Sequence, residues 1–156
     1  MSTPIRTSAM SHVAICVRDM ERSLQFYRDL LGFRVDKDTL QDTRTGGLPY
    51  LYHERHAQRR VVHLYYGEGH ALPFLVLTEH PGDMVSGTPI MLDQVGISHV
   101  SFTVSDLDAL TTRLLENQME TCGPVDAFKD ASGRIRTVFF RDPDGILVQF
   151  DDGTAA

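Results

Sequence analysis

The stretch Ser11-His12-Val13-Ala14-Ile15-Cys16-Val17-Arg18-Asp19 returns in outline as Ser98-His99-Val100-Ser101-Phe102-Thr103-Val104-Ser105-Asp106. The histidines lie 87 residues apart (99 − 12), and internal repetition of this kind points to two copies of one structural unit. Each copy alternates. Val13, Ile15 and Val17 share one face of a strand and His12, Ala14 and Cys16 the other; in the second copy Val100, Phe102 and Val104 are apolar, while His99, Ser101 and Thr103 make a small polar face. A single strand histidine is usually a satisfied polar residue. Two at equivalent positions of a duplicated unit can converge, and convergent imidazoles are the usual start of a metal site.

Outward from the first copy, Met20, Leu24, Tyr27 and Leu31 recur at helical spacing, and Gly32 is placed to stop the helix. Residues 33–37 read as a second strand and residues 39–58 as a long polar loop, of a length rarely found without a role. Strands over 61–66 and 74–78 complete a β-α-β-β-β unit, and the turn residues of 80–96 read as a linker. The second unit repeats the order with a strand over 97–104 and a helix presenting Leu107, Leu110 and Leu114. Ser105 with Asp108 resembles a capping box. A weak strand signal at 125–128 precedes a clear one at 135–140. Asp142-Pro143-Asp144-Gly145 then suits a type I turn into a last strand over 146–150, with Leu147, Gln149 and Asp151 on one face. The expectation is an α+β chain with an arm over 1–9, a first module over 10–79, a linker over 80–96 and a second module over 97–152.

With 156 residues the chain can bury a real core, either as one domain or as two half-size units sharing it. A formal net charge of −6 argues against generic binding to nucleic acid or to an anionic membrane. The basic run Arg55-His56-Ala57-Gln58-Arg59-Arg60 reads as a solvated loop, and His53, His56, His70 and His80, in loops or at strand ends, read as solvent-facing. No stretch approaches a transmembrane span, and residues 1–6 lack the apolar core of a signal peptide. Cys16 and Cys122 fall in different halves, as expected of reduced thiols in a cytoplasmic protein.

Ser-His-Val opening each half, Arg18-Asp19-Met20-Glu21-Arg22-Ser23-Leu24-Gln25-Phe26-Tyr27 with Leu31-Gly32-Phe33, and Phe140-Arg141-Asp142-Pro143-Asp144-Gly145 near the end together resemble the vicinal oxygen chelate superfamily. That superfamily includes glyoxalase I, extradiol dioxygenases, methylmalonyl-CoA epimerase, fosfomycin-resistance enzymes and bleomycin-binding proteins. The resemblance implies paired β-α-β-β-β modules forming a cup-shaped mixed sheet. It also implies a divalent metal ion (Fe2+, Zn2+, Ni2+ or Mn2+) held from the first and last strands of each module. The four matching positions are His12, Val76, His99 and Gln149. Valine cannot ligate, so three ligands remain, and Gln149 stands where three-ligand relatives carry a glutamate. Two imidazoles and an amide leave the full double charge on the ion, which lowers its affinity and favours anionic ligands.

The same resemblance disfavours extradiol ring cleavage, because no histidine follows His99 and Phe139 occupies the tyrosine place. Proton-transfer candidates are His63, Tyr65 and Tyr66, with either His63 and Tyr65 or Tyr66 facing the cup; Cys16, Val76, Thr103 and Phe139 line its interior. Two function classes follow: a metal-dependent enzyme chelating vicinal oxygens of a small molecule, and a metal-free protein that binds a small molecule or drug in an apolar cup. Members of this size commonly pair, so a homodimer is expected.

Overall fold

The computed structural model describes residues 3–154. Two residues of the arm expected over 1–9 therefore lie outside the described residues. The chain divides after Ser86 into two compact units. In the first, β1 (His12–Cys16) leads into helix α1 (Met20–Leu24), whose path widens into π-helical turns over Gln25–Leu30. Strands β2 (Arg34–Asp42), β3 (Gln58–Tyr65) and β4 (Phe74–Glu79) follow. The sheet order is β1-β4-β3-β2, with β1 parallel to β4 and the other pairs antiparallel. The second unit carries β5 (His99–Thr103), helix α2 (Leu107–Glu116), β6 (Thr137–Arg141) and β7 (Leu147–Asp151). Its order is β5-β7-β6, again with the first strand parallel to the last.

The repeated sequence explains the repeated path. Its closing aspartate caps the helix each time: the Asp19 carboxylate accepts from the Arg22 amide at 3.1 Å and Asp106 from the Ala109 amide at 2.9 Å. The cap of α2 is thus Asp106, and the expected box of Ser105 with Asp108 does not carry that role. Gly32, with φ 82°, ends the first helix in the left-handed conformation that glycine adopts without strain. The apolar face of β1 is buried at Ile15 and Val17, whereas Val13 and the matching face of β5, Val100, Phe102 and Val104, are only half-buried; Ile15, Val17, Val62, Leu64, Leu75 and Leu77 join Met20, Leu24 and Tyr27 in one core. Val138, Phe140, Val148 and Phe150 join Leu107 and Leu114 in the other.

Two expectations change. The polar run 39–42 is strand rather than loop, because it pairs in register with β3 out to Asp42 opposite Gln58. Charge across the hairpin secures it: Arg60 binds Asp38 through two nitrogens at 2.9 and 2.7 Å, and Arg59 donates to Gln41 at 2.9 Å. The loop thereby shrinks to residues 43–57 and contains a 3-10 turn over Leu48–Leu51. The strand expected at 125–128 is also a 3-10 turn, Val125–Phe128. Its amides bond locally, Ala127 to the Pro124 carbonyl at 3.0 Å and Lys129 to that of Asp126 at 3.3 Å, so they are not offered to a neighbouring strand. The second sheet therefore has three strands. The Asp142–Gly145 turn forms as expected, with the Asp142 side chain accepting from the Asp144 and Ile146 amides at 2.9 Å each. No described helix is long and apolar enough to cross a membrane.

Urea unfolding checks this core. Phe140→Ala should cost about 3–5 kcal/mol through cavity formation, and Asp106→Ala about 1 kcal/mol through loss of its cap.

Candidate functional site

The β1/β4 register sets His12 beside Phe74, Ala14 beside Val76 and Cys16 beside Thr78, while β3 sets His63 beside Val76. These side chains share the sheet face turned away from the apolar core. Phe74 is the centre of a ring cluster there. The His12 ring lies 5.2 Å from it, His63 4.9 Å, and Tyr65 stacks on it at 4.6 Å. Of the two registers left open by the sequence, the structure adopts the one that puts His63 and Tyr65 on the face of His12. Tyr66 follows the end of β3 and stacks instead on Phe33 at 3.9 Å. Burial, reinforced by Lys37 and His12, holds the His63 imidazole below its ordinary pKa, so its neutral form is favoured. Val76 is buried on this face and offers no donor atom.

The second unit repeats the placement with different chemistry. His99, Ser101 and Thr103 line up with Leu147, Gln149 and Asp151, and Phe139 lies across from Gln149. Phe139 meets the His99 ring edge-to-face at 5.5 Å. The Gln149 amide nitrogen donates to the Thr137 hydroxyl at 2.9 Å. Thr103 and Ser101 both donate to the Asp151 carboxylate, at 3.3 and 3.1 Å, so the Thr103 hydroxyl already has a partner within its own sheet.

One detail recurs in both units. Ser11 Oγ lies 3.0 Å from His12 Nδ1, and Ser98 Oγ lies 2.8 Å from His99 Nδ1. A partner on Nδ1 fixes ring orientation and leaves Nε2 as the coordinating nitrogen, the arrangement that metal-binding histidines use. The Gln149–Thr137 bond likewise engages the amide nitrogen and leaves the carbonyl oxygen to act as donor. The residues therefore suit a divalent ion in donor type, with a neutral set of two imidazoles and one amide. Among the described residues no three His, Cys, Asp or Glu side chains gather into a cluster able to hold a metal.

The sequence missed a second group of imidazoles. His80 is buried, with 6% of its surface exposed, and is not solvent-facing. His56 stacks against it at 4.1 Å, and Tyr52 meets both edge-on at 5.5 and 5.1 Å. These rings come from the loop before β3 and from the end of β4, where no strand or helix period marks a buried position. His70 is exposed as read and pairs with Asp36 at 2.8 Å.

A family model of the Glyoxalase/Bleomycin resistance protein/Dioxygenase superfamily matches residues 9–150. The chain belongs to this superfamily. Within reach of it, the Escherichia coli (strain K12) protein YaeR is 27% identical over 138 residues, covering 88% of this chain and 91% of YaeR. The trypanothione-dependent glyoxalase I of Leishmania major is 25% identical with a TM-score of 0.64, covering 95% of this chain and 89% of that one. A variant of the fosfomycin resistance protein FosX from Listeria monocytogenes, complexed with Mn(II) and 1S,2S-dihydroxypropylphosphonic acid, shares the fold at 17% identity. Its TM-score is 0.63, with 96% of each chain covered. The superfamily fold accounts for the α+β architecture.

Burial holds the His80 pKa below the ordinary 6.5, against the opposing pull of the Gln58 carbonyl. The unfolded chain therefore takes up this proton first, so the stabilisation is complete above about pH 6.5 and declines as pH falls through the lower folded value. Urea midpoints should drop between about pH 7.5 and 5.5, and His80→Gln should flatten that drop. An unchanged slope would remove His80 as its source.

Proposed function

We propose that the protein is a metal-dependent enzyme in which His12, His99 and Gln149 hold a divalent ion that chelates vicinal oxygens of a small-molecule substrate. The observation that carries this reading is the matched pair of serine–imidazole contacts, each leaving Nε2 as the coordinating nitrogen at the start of an edge strand. The reading requires β1 and β5 to be brought side by side, within one chain or between two. Fe2+, Zn2+, Ni2+ and Mn2+ are the candidate ions, and Mn(II) is the one present in the FosX complex. Such an ion, when bound, supplies Lewis acidity that stabilises an anion on the substrate oxygens.

The protein's own groups divide the remaining work. Ser11 and Ser98 orient the imidazoles, and Thr137 orients the Gln149 amide. Phe74 and Phe139 lie against the two histidine rings and limit the ring positions open to them. His63, held neutral beside Phe74, is the group suited to accept a proton, while Tyr65 is a stacked wall whose phenol can donate one. Cys16 and Cys122 are in no disulfide, which fits a cytoplasmic enzyme. A second reading, a metal-free binding protein, is favoured by Val76 at the fourth ligand position and by the prior engagement of Gln149 with Thr137.

Metal titration of apo protein separates the two. Gln149→Glu should tighten divalent-ion binding, because a carboxylate adds negative charge to a neutral donor set, while His12→Ala and His99→Ala should each weaken it about tenfold or more. Wild type and Gln149→Glu with equal affinities would place Gln149 away from the ion. Elemental analysis of native protein without a stoichiometric transition metal would favour the second reading.

The histidine-bearing strands β1 and β5, with β2, are sheet edges, and unpaired edges call for cover. The expected assembly is a homodimer. Light scattering at micromolar concentration should give the mass of two chains; a stable monomer would contradict it.

A further inference from the structure

The first unit contains a pocket of about 290 Å³ that the proposed ligand set does not use. Its floor is Cys16 and Thr78, the end of the β1/β4 face opposite to His12 and Phe74. Leu48, Leu51 and Val85 form apolar wall, and Tyr52, His56 and His80 form an aromatic one. The imidazoles are fastened from behind. His56 Nδ1 lies 2.7 Å from the Asp83 carboxylate, and His80 Nδ1 lies 3.1 Å from the Gln58 carbonyl. A carbonyl oxygen only accepts, so His80 Nδ1 carries the proton and Nε2 is the ring's acceptor.

We infer that this pocket binds a small neutral ring bearing a hydroxyl, a phenol-class ligand, whose O–H donates to His80 Nε2. The acceptor sits on a buried ring at a cavity wall, and an acceptor so placed is best satisfied by a ligand donor. Stacked and edge-on rings next to leucine and valine side chains suit a flat apolar body. Glu54 and Arg59 both line the cavity, one of each sign, so its charge is balanced and selects neither an anion nor a cation. Burial also keeps the His80 ring neutral. The volume lies at the small end of ligand sites and suits a single ring. Cys16 lies four residue steps along extended strand from His12, a span of about 13 Å, so one ring seated over Cys16 does not reach the His12 imidazole. The site is therefore separate from the proposed metal ligands and does not depend on them.

The test titrates the full chain with 4-methylphenol and with 4-methylanisole, which has the same body but no donor, while following the ring nitrogen-15 signals of the histidines. The phenol should bind with a Kd of about 1 mM or tighter and shift the His80 Nε2 signal. The anisole should bind about tenfold more weakly. His80→Phe should weaken phenol binding to a similar degree, and His12→Ala should leave it unchanged. The comparison of the two ligands on wild type stands even where His80→Phe fails to fold. Equal affinity for both ligands, no binding at millimolar concentration, a shift confined to the His12 and His63 rings, or loss of binding in His12→Ala would each overturn the inference.

Discussion

Parallel pairing of the first strand with the last, β1 with β4 and β5 with β7, is the constraint on which both units depend. A parallel return cannot be made by a hairpin, so each first strand must be followed by a crossover that includes a helix. The aspartates Asp19 and Asp106 start those helices at the same point of the repeat. The apolar face of each sheet is then committed to the core, and the opposite face is left for other chemistry. First strands also become edges, which is why His12 and His99 occupy equivalent edge positions.

The free faces have diverged although both units keep the parallel pairing of first strand with last. In the first unit Phe74, Tyr65 and Val76 make the surroundings of His12 apolar and aromatic, and desolvation of that surface depresses the pKa of His63. In the second, Thr137, Gln149, Ser101, Thr103 and Asp151 make a hydrogen-bonded polar row beside His99. Loss of a donor at Val76 and retention of one at Gln149 belong to the same asymmetry. One unit offers an aromatic wall with an imidazole; the other offers an imidazole with an oriented amide.

What the sequence made legible was whatever is periodic or local. Alternation through Val13, Ile15 and Val17 located a strand and its buried side, and Asp142-Pro143-Asp144-Gly145 located a turn whose bonds are all within a few residues. The strand nature of residues 39–42 was not legible, because it comes from pairing with β3 about twenty residues away and not from an apolar pattern. Val125–Phe128 misled for the converse reason. Its β-forming residues follow Pro124, and local turn bonds won over a ladder. His80 was illegible because a histidine beside Pro81 and Gly82 carries every mark of an exposed turn, and only the stacking of His56 and Tyr52 over it produces burial. His12, His99 and Gln149 could be singled out through duplication and family resemblance, since their equivalence is written in the chain itself.

Under the proposed reading, the neutral donor set has a consequence for substrate choice. A carboxylate ligand would offset part of the charge of a divalent ion, whereas imidazole and amide leave all of it. The oxygens of the substrate must then provide the compensating charge, so ion and anionic substrate stabilise one another in the site. Linkage makes that coupling reciprocal: an anion that raises affinity for the ion by some factor has its own affinity raised by the same factor. On that reading the Gln149 amide would move selectivity from the metal alone to the metal together with its anionic ligand, and a substrate able to present two adjacent oxygens would gain most from it.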